Sequence, residues 1–367
     1  MKILMLNYEF PPLGGGASPI SFEMAHTYVK NGHQVDVVTM GFKSLPSFEI
    51  AGGVNIYRVN CLRSKKEICH PYEQLSYIFS AKKFLKKHLK NNDYDICHSH
   101  FVIPTGIIAN WLKKRYKIPY IITSHGSDIP GYNPDRFKFL HKFTKPLIKK
   151  IANNSSGNFA GSQYLVNLAN KLNLKKEYKV IREGFDSSKF KVGNKKDIIL
   201  YTGRLLERKG AQYLIKAVSD KNIGYEVHIA GDGPMMSELQ GLAKNSKTKI
   251  IFHGWLNNNS VEYKELLESS KIYVLTSERE NSSVSLLEAM SAGCAVITSN
   301  VSGCPEVVGD AGFLVSPKNS LEIKNAIYKL VGNEEHYGNL ARNRILNFYS
   351  WDKSINKYLE FMNRIFL

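Results

Sequence analysis

Short apolar runs alternate with amphipathic stretches along nearly all of the 367 residues. KILMLNYEF has the pattern of a strand and is followed by PPLGGGASP. Residues 18–31 carry a helical period, which Gly32 is placed to stop. QVDVVTM is the next strand, so the chain opens on a βαβ unit with a glycine-rich first turn. VNIYRV, DICHSH and PYIITSH read as further strands, with helices at about 72–91 and 104–116. A second series begins near Asp197. DIILYTGR, GYEVHIAGDG, KIIFHGW, KIYVLTS and CAVITSN read as strands; GAQYLIKAV, MMSELQGLAK, VEYKELLESS and the stretch around LLEAM read as helices. Such alternation predicts parallel sheets covered by helices on both faces, and two series predict two Rossmann-like domains. The polar stretch at 182–196 is the expected linker, and FYSWDKSINKYLEFMNRIFL an amphipathic terminal helix.

Length and composition suit this picture. Two domains of ordinary size fit 367 residues, and 43% hydrophobic residues can build two cores. No apolar run reaches 18 residues, so no transmembrane helix is expected. MKILMLNYEF reads as a first strand rather than a secretion signal, and the expectation is a cytoplasmic protein. Cys61, Cys69, Cys97, Cys294 and Cys304 form no C-x-x-C pair and suit reduced thiols.

Charge adds something that periodicity does not. The net charge is +18, and Lys and Arg outnumber Asp and Glu by 27 to 12 over residues 1–185 but only by 23 to 20 over the rest. Nearly all of the excess therefore lies in the first half, which suggests an anionic partner there, against the plainer reading of a generally lysine-coated surface. Residues 79–92, FSAKKFLKKHLKNN, concentrate the effect. On a helix, Phe79, Phe84, Leu85, His88 and Leu89 would bury one face while Lys82, Lys83, Lys86, Lys87 and Lys90 spread over the remainder.

Open parallel sheets bind ligands beyond the C-terminal ends of their strands, so the chemistry is sought in the loops that follow strands. Gly14-Gly15-Gly16 precedes a helix, where glycine admits close backbone approach and a helix start favours an anion. It has neither the P-loop ending nor the G-x-G-x-x-G spacing. His125-Gly126 follows the strand PYIIT; Asp128 beyond it suits a helix cap, a role that does not call for His125. Arg204 follows DIILYTG and Lys209 precedes a helix; together they can clamp a diphosphate, Arg by a forked contact and Lys as a point charge. Gly231-Asp232-Gly233-Pro234 marks another tight turn, and Gly254 would let a flat ring approach the backbone. In ENSSVSLLEAMSAGCAVITS, Ser285, Glu288 and Ser291 form a narrow polar stripe on an otherwise apolar helix. A carboxylate there can accept from two neighbouring sugar hydroxyls. Asp93-Tyr94-Asp95 spells D-x-D but precedes a strand, at the wrong end for a ligand, and His98 and His100 lack further ligands at metal spacing, so no metal is expected.

These residues carry a resemblance. The chain resembles the retaining GT-B glycosyltransferases of family 4 over essentially its whole length. The match rests on Glu280-x7-Glu288 with LLEAMSAG, on Gly203-Arg204-Leu205 with Lys209-Gly210, and on Gly231-Asp232-Gly233-Pro234. Gly14–Gly16, His125-Gly126 and the closing Phe348-Tyr349-Ser350-Trp351 fit as well.

The resemblance implies the α/β GT-B fold, with two Rossmann-like domains facing across a deep cleft. The acceptor-side domain is residues 1–185, completed by a returning helix at 350–367; the donor domain is 186–349. It implies a nucleotide-diphosphate sugar as donor substrate, UDP- or GDP-linked, with no cofactor and no metal. Arg204 and Lys209 would neutralise the diphosphate, Glu280 would hold the donor sugar, Glu288 the ribose, and His125 would lie beside the reacting carbon. Gly15, Gly16, Gly203, Gly233, Gly254, Leu256, Ser283 and Leu286 would line the donor. Asn281-Ser282-Ser283 departs from the Gly-Phe-Gly common in the family, which leaves the donor sugar open. No carboxylate stands out as a nucleophile opposite His125, so a front-face substitution is expected. The expected acceptor is a lipid-linked or polysaccharide glycan, reached from an anionic membrane surface on the cytoplasmic side. A transferase or phosphorylase with a small soluble acceptor, an epimerase of the same shape and a basic nucleic-acid binder are the alternatives. The paired glutamates favour transfer, and the lack of a recognition motif with interleaved aromatics argues against nucleic acid.

Overall fold

A computed structural model of the chain describes residues 1–132, 134–280 and 283–367, with backbone alone for 134–141. Asn281 and Ser282, singled out above, lie outside the described residues. The chain divides into two units, Met1–Gly184 with Trp351–Leu367, and Phe185–Ser350.

In the first unit the strands are β1 (Lys2–Leu6), β2 (Gln34–Met40), β3 (Phe48–Ala51), β4 (Val54–Val59), β5 (Ile96–His100), β6 (Tyr120–Ser124), β7 (Gly157–Ala160) and β8 (Tyr178–Val180). They form one sheet in the order β3-β4-β2-β1-β5-β6-β7-β8, parallel except for β3, which pairs antiparallel with β4. The helices are α1 (Ala17–Lys30), α2 (Pro71–His88), α3 (Thr105–Tyr116), α4 (Pro134–Asn154) and α5 (Gln163–Asn170). The central strands β5 and β6 are buried on every residue, as a sheet covered on both faces requires.

The second unit contains β9 (Lys196–Thr202), α6 (Ala211–Val218), β10 (Glu226–Ala230), α7 (Met236–Ala243), β11 (Ile250–Gly254), α8 (Val261–Ser269) and β12 (Ser270–Leu275). α9 (Val284–Ser291), β13 (Ala295–Ser299), α10 (Cys304–Val308), β14 (Gly312–Val315), α11 (Ser320–Leu330) and α12 (Glu334–Phe348) follow. Its sheet is wholly parallel, in the order β11-β10-β9-β12-β13-β14. Strand order reverses at β9 here and at β1 in the first unit, and such a reversal is where open α/β sheets leave a crevice.

The terminal helix α13 (Trp351–Asn363) belongs to the first unit for a packing reason. Ile355, Tyr358 and Met362, spaced as one helical face, join Met24, Ala25 and Tyr28 of α1 in a single core, and the Tyr358 hydroxyl meets Thr123 Oγ1 at 2.9 Å.

Helix α2 corrects the reading of the basic stretch. It starts at Pro71 and buries Tyr77, Ile78, Ala81 and Leu85. Phe79, placed above on the buried face, is 74% exposed, and Tyr72 and Leu75 on the preceding turns are 56% exposed each. Lys83, Lys86 and Lys87 are exposed as well, whereas Lys82 is half-buried with its ammonium 5.8 Å from the Trp111 ring centroid. The reason lies in the helical angle of Phe79. With the phase set by Tyr77 and Leu85, Phe79 falls about a quarter-turn or more off the buried stripe.

The closest backbone packing in the second unit generates a prediction. Gly231, at φ +149°, has its Cα against the Gly203 carbonyl, and a Cβ there would lie 1.9 Å from that oxygen. Gly224, at φ +78°, has open space around the same position. A left-handed backbone alone costs a side chain about 1–2 kcal/mol. Gly224→Ala should show that cost alone, lowering the melting temperature of the second unit by about 2–8 °C. Gly231→Ala should lower it by clearly more, since a backbone atom cannot step aside. Scanning calorimetry on the two variants checks the difference, and equal shifts would contradict it.

Candidate active site

In the second unit, the loops that follow the first three strands are joined by their backbones. Gly203 N–H donates to the Ala230 carbonyl at 3.0 Å, Leu205 N–H to Asp232 O at 2.9 Å, and Gly231 N–H to Gly254 O at 2.7 Å. A Cβ on Gly233 would meet the Leu205 carbonyl at 2.4 Å. The spacing of Gly203-Arg204-Leu205 and Gly231-Asp232-Gly233 thus has a packing cause: two turns share one narrow space.

A cavity of about 200 Å³ opens beside these loops, lined by Thr202, Gly203, Arg204, Ala230, Gly231, Asp232, Trp255, Leu256, Asn258, Tyr263 and Ser285. It therefore lies at the C-terminal ends of β9, β10 and β11, with Ser285 contributed from the helix after β12. Arg204 is exposed at its edge, and Trp255, 71% exposed, offers an aromatic face.

Glu288 lies behind this cavity. It is buried on α9, and its Oε2 accepts a 2.6 Å hydrogen bond from the Tyr263 hydroxyl. Burial pushes its carboxyl up to about 7, while Tyr263, Asn258 and Lys189 act in the opposite direction by favouring the charged form. The narrow polar stripe expected on this helix is turned inward: Ser291 is wholly buried and Ser285 lines the cavity.

Glu280 and Lys209 are brought together as a direct ion pair, with side chains 13% and 16% exposed. Lys209 ends a 3-10 turn over Glu207–Lys209, and its carbonyl accepts from the Tyr201 hydroxyl at 3.2 Å. Among the described residues that line the cavity only Arg204 belongs to the expected clamp; Lys209 is held to one side by its carboxylate partner. Ser283 caps α9, with its hydroxyl 3.0 Å from that of Ser285. Leu286 is not among the residues that line the cavity. Its side chain is wholly buried in the hydrophobic core and its N–H donates to Ser283 O, so neither group faces the cavity.

The first unit holds a second cluster. His125 follows β6, and its imidazole is nearly buried, at 4% exposure. Nε2 lies 2.9 Å from His100 Nδ1, and Nδ1 lies 3.4 Å from Glu183 Oε1. Burial and the neighbouring imidazoles hold His100 far below the usual histidine range and His98 down to about 3, so both are neutral. A neutral His100 can donate from Nδ1 while His125 presents Nδ1–H toward Glu183. Asp128 is not a helix cap. Its Oδ1 accepts from the N–H groups of His125 and Gly126 at 3.2 Å each, and Oδ2 from Val102 N–H at 2.8 Å, which pins the loop. Two carboxylates therefore touch the His125 loop where sequence offered none as a partner, and both are buried. In the Gly14–Gly16 loop, a Cβ on Gly15 or Gly16 would meet open space, and Gly15 N–H points at Glu9 Oε2, 3.4 Å away.

Tyr263, Asn258, Glu183 and Glu9 were not legible as site residues. Tyr263 reads as one more apolar position of an amphipathic helix, 25 residues before Glu288. Of the two motifs set aside for metal, Asp93-Tyr94-Asp95 lies at the N-terminal edge of β1, where Asp95 accepts from Lys2 N–H, whereas His100 of the other joins the His125 cluster; among the described residues no group of three or more His, Cys, Asp or Glu is placed to hold a metal ion.

Comparison with known proteins extends this geometry. A model for glycosyl transferases group 1 matches residues 182–346, and one for glycosyltransferase family 4 matches residues 14–189. An uncharacterized glycosyltransferase of Methanocaldococcus jannaschii is 29% identical over 99% of this chain and 100% of its own length. The N-acetyl-alpha-D-glucosaminyl L-malate synthase of Bacillus anthracis is 24% identical, covering 95% of this chain and 93% of that protein. Among solved structures, sucrose-phosphate synthase from Thermosynechococcus elongatus superposes with a TM-score of 0.82 at 18% identity, over 100% of this chain and 99% of that one. Anabaena HepE, solved with UDP-glucose, does so at 0.73 and 19% identity, over 99% and 100%. Two family models that meet within the stretch joining the units, on a backbone with the GT-B fold, leave one assignment: the chain belongs to the group 1, family 4 glycosyltransferases.

Proposed function

We propose that this glycosyltransferase takes its sugar from a nucleotide-diphosphate donor, UDP- or GDP-linked, and transfers it with retention and without a metal to a hydroxyl of a lipid-linked or polysaccharide acceptor. The observation that carries the reading is the cavity of the second unit. Its aromatic Trp255 and the Leu256 backbone suit a base, the carboxylate of Glu288 behind it suits ribose hydroxyls, and Arg204 at its edge suits a diphosphate. HepE, of the same fold, was solved with UDP-glucose, which agrees with this type of donor.

Departure of the nucleoside diphosphate builds negative charge on its oxygens. Arg204 and Lys209 supply the positive charge that stabilises it, the role a divalent cation would otherwise fill. Lys209 is paired with Glu280 in this structure, so donor binding exchanges one pairing for two: Lys209 turns to phosphate and Glu280 to the hydroxyls of the donor sugar. Neither Asp128 nor Glu183 is open to a sugar carbon, and retention then proceeds by attack of the acceptor on the face that the diphosphate leaves. His125 serves this step from a ring that His100 and Glu183 hold in one orientation.

The acceptor side rests on the first unit. No described helix is long and apolar enough to cross a membrane. On α2, exposed Tyr72, Leu75 and Phe79 lie among exposed Lys83, Lys86 and Lys87, a pattern that suits shallow insertion into an anionic lipid surface. Curated relatives include a glycosyltransferase of Campylobacter jejuni named for an undecaprenol-linked acceptor, 28% identical over 72% of this chain, which agrees with a lipid-linked glycan.

Arg204→Ala should lower turnover about 100- to 1000-fold with the fold intact, the size of losing one transition-state donor, or about 2.7–4 kcal/mol. Lys209→Ala should lose at least as much, since it also strands Glu280. Near-normal turnover in both variants, measured with the accepted nucleotide sugar, would remove the clamp.

Activity should survive EDTA. Loss on chelation and recovery with Mg²⁺ or Mn²⁺ would show that the two cations do not suffice.

Vesicles containing anionic lipid should co-sediment the wild-type protein at low salt and release it as salt rises, since each lysine near such a surface contributes about 1 kcal/mol within a Debye length. A variant with Lys83, Lys86 and Lys87 changed to Glu and Phe79 to Ala should stay in the supernatant. Equal binding by the two proteins, or none by the wild type, would separate α2 from the membrane.

A further inference from the structure

We infer that Tyr263 is a positioning residue that sets donor specificity by fixing the carboxylate of Glu288, and so selects ribonucleotide over deoxyribonucleotide; this rests on the reading of Glu288 as the ribose carboxylate. Tyr263 sits on α8 and Glu288 on α9, so the contact joins two helices rather than neighbours in one. The ring of Tyr263 is 4% exposed, yet the residue lines the cavity, and its hydroxyl reaches Glu288 Oε2 at 2.6 Å. Its own place is fixed at the backbone, where Tyr263 N–H donates to the Ser260 hydroxyl that caps α8, at 3.2 Å.

The direction of this bond is settled by chemistry. Burial and the adjacent carboxylate hold the Tyr263 phenol far above its usual range, so it remains a donor at any working pH. A phenol that always donates stabilises the carboxylate form of Glu288 and fixes the plane of its two oxygens. Ribose presents two adjacent hydroxyls, and accepting from both requires a carboxylate that is charged and correctly turned. Burial works against the charge. The groups that face Glu288 are Tyr263 from α8, Asn258 from the loop after β11, Lys189 from the 3-10 turn at Ser187–Lys189, and the Tyr273 phenol from β12. Of these, Tyr263, Asn258 and Lys189 favour the carboxylate. Ribose recognition should therefore weaken as pH falls through about 7, where Glu288 takes up its proton. Removing the Tyr263 hydroxyl should move that midpoint upward, because the protonated acid loses nothing and the carboxylate loses its donor.

The experiment is calorimetric titration of the full chain with UDP and GDP, each beside its 2′-deoxy form, at a series of pH values. The wild type should prefer the ribonucleotide above pH 7 and lose the preference below it. Glu288→Gln should bind the ribonucleotide more weakly than the wild type above pH 7 and like it well below, with no midpoint of its own. Tyr263→Phe, which keeps the ring, should bind it roughly tenfold more weakly near pH 7, the scale of one hydrogen bond to a charged group. Its deoxynucleotide affinity should change little, and raising the pH should restore much of the loss. If Glu288→Gln loses affinity while Tyr263→Phe keeps the wild-type affinity and midpoint, the positioning role is overturned and the ribose reading stands. If Tyr263→Phe weakens both nucleotides equally with no shift in midpoint, its role is packing and the inference is again overturned. If Glu288→Gln binds like the wild type above pH 7, or neither ribonucleotide binds the wild type, the ribose reading fails and this inference with it.

Discussion

Strand β9 pairs with β10 on one side and β12 on the other, and the second unit depends on that reversal of order. Right-handed crossovers from the two directions put their helices on opposite faces, so the loops at the C-terminal ends diverge and leave room for a ligand. The room would be lost if the turns after β9, β10 and β11 splayed apart or collapsed into it. Three backbone hydrogen bonds, at Gly203, Leu205 and Gly231, keep them at a fixed separation. Glycine at 231 and 233 is then a steric requirement of carbonyls that approach where a Cβ would stand. The same turns carry Arg204, so the packing that shapes the cavity also fixes where its cation starts.

Charged groups near the candidate residues of each unit are matched internally. Lys209 pairs with Glu280, His125 lies against Glu183, and Gly15 N–H points at Glu9. Unpaired charges in partly buried places are costly, and these contacts limit that cost in the ligand-free chain. They also make binding an exchange of partners rather than the filling of empty positions. On the proposed reading, a ligand would have to present an anion for Lys209 and donors for Glu280 together, because satisfying one alone strands the other.

Much of this was legible in the sequence. Parallel sheets, two series and nearly every strand named from periodicity recur in the structure, QVDVVTM without a residue's change. Among the glycine turns, those at Gly231 and Gly233 pack as close approaches, and Glu288 stands on a helix beside the cavity. What escaped has a common cause. Edge strand β3 is half-exposed and pairs antiparallel, so it lacks the apolar run that announces a buried strand. On α2, Phe79 was grouped with Phe84, Leu85, His88 and Leu89 although its helical angle lies well away from theirs. Glu183 and Tyr263 act on residues far along the chain, and a pairing across two elements leaves no trace in local spacing.

Glu280 and Glu288 sit eight residues apart and are handled in opposite ways. One is held by a lysine and lies near the surface; the other is held by a neutral phenol and is buried. An ion pair can be traded for another arrangement of charges, so the Lys209–Glu280 end suits the charged part of a donor and the sugar attached to it. The Glu288 end has no such exchange to offer. A phosphate brought against it would face a buried carboxylate across a short, weakly screened distance, whereas a pair of neutral hydroxyls meets an acceptor. On the proposed reading, the two ends together would impose a direction on a nucleotide sugar: ribose toward Tyr263 and Glu288, diphosphate toward Arg204 and Lys209. On this view Tyr263 contributes to orientation as well as to affinity, because it keeps charged the group that repels the wrong end.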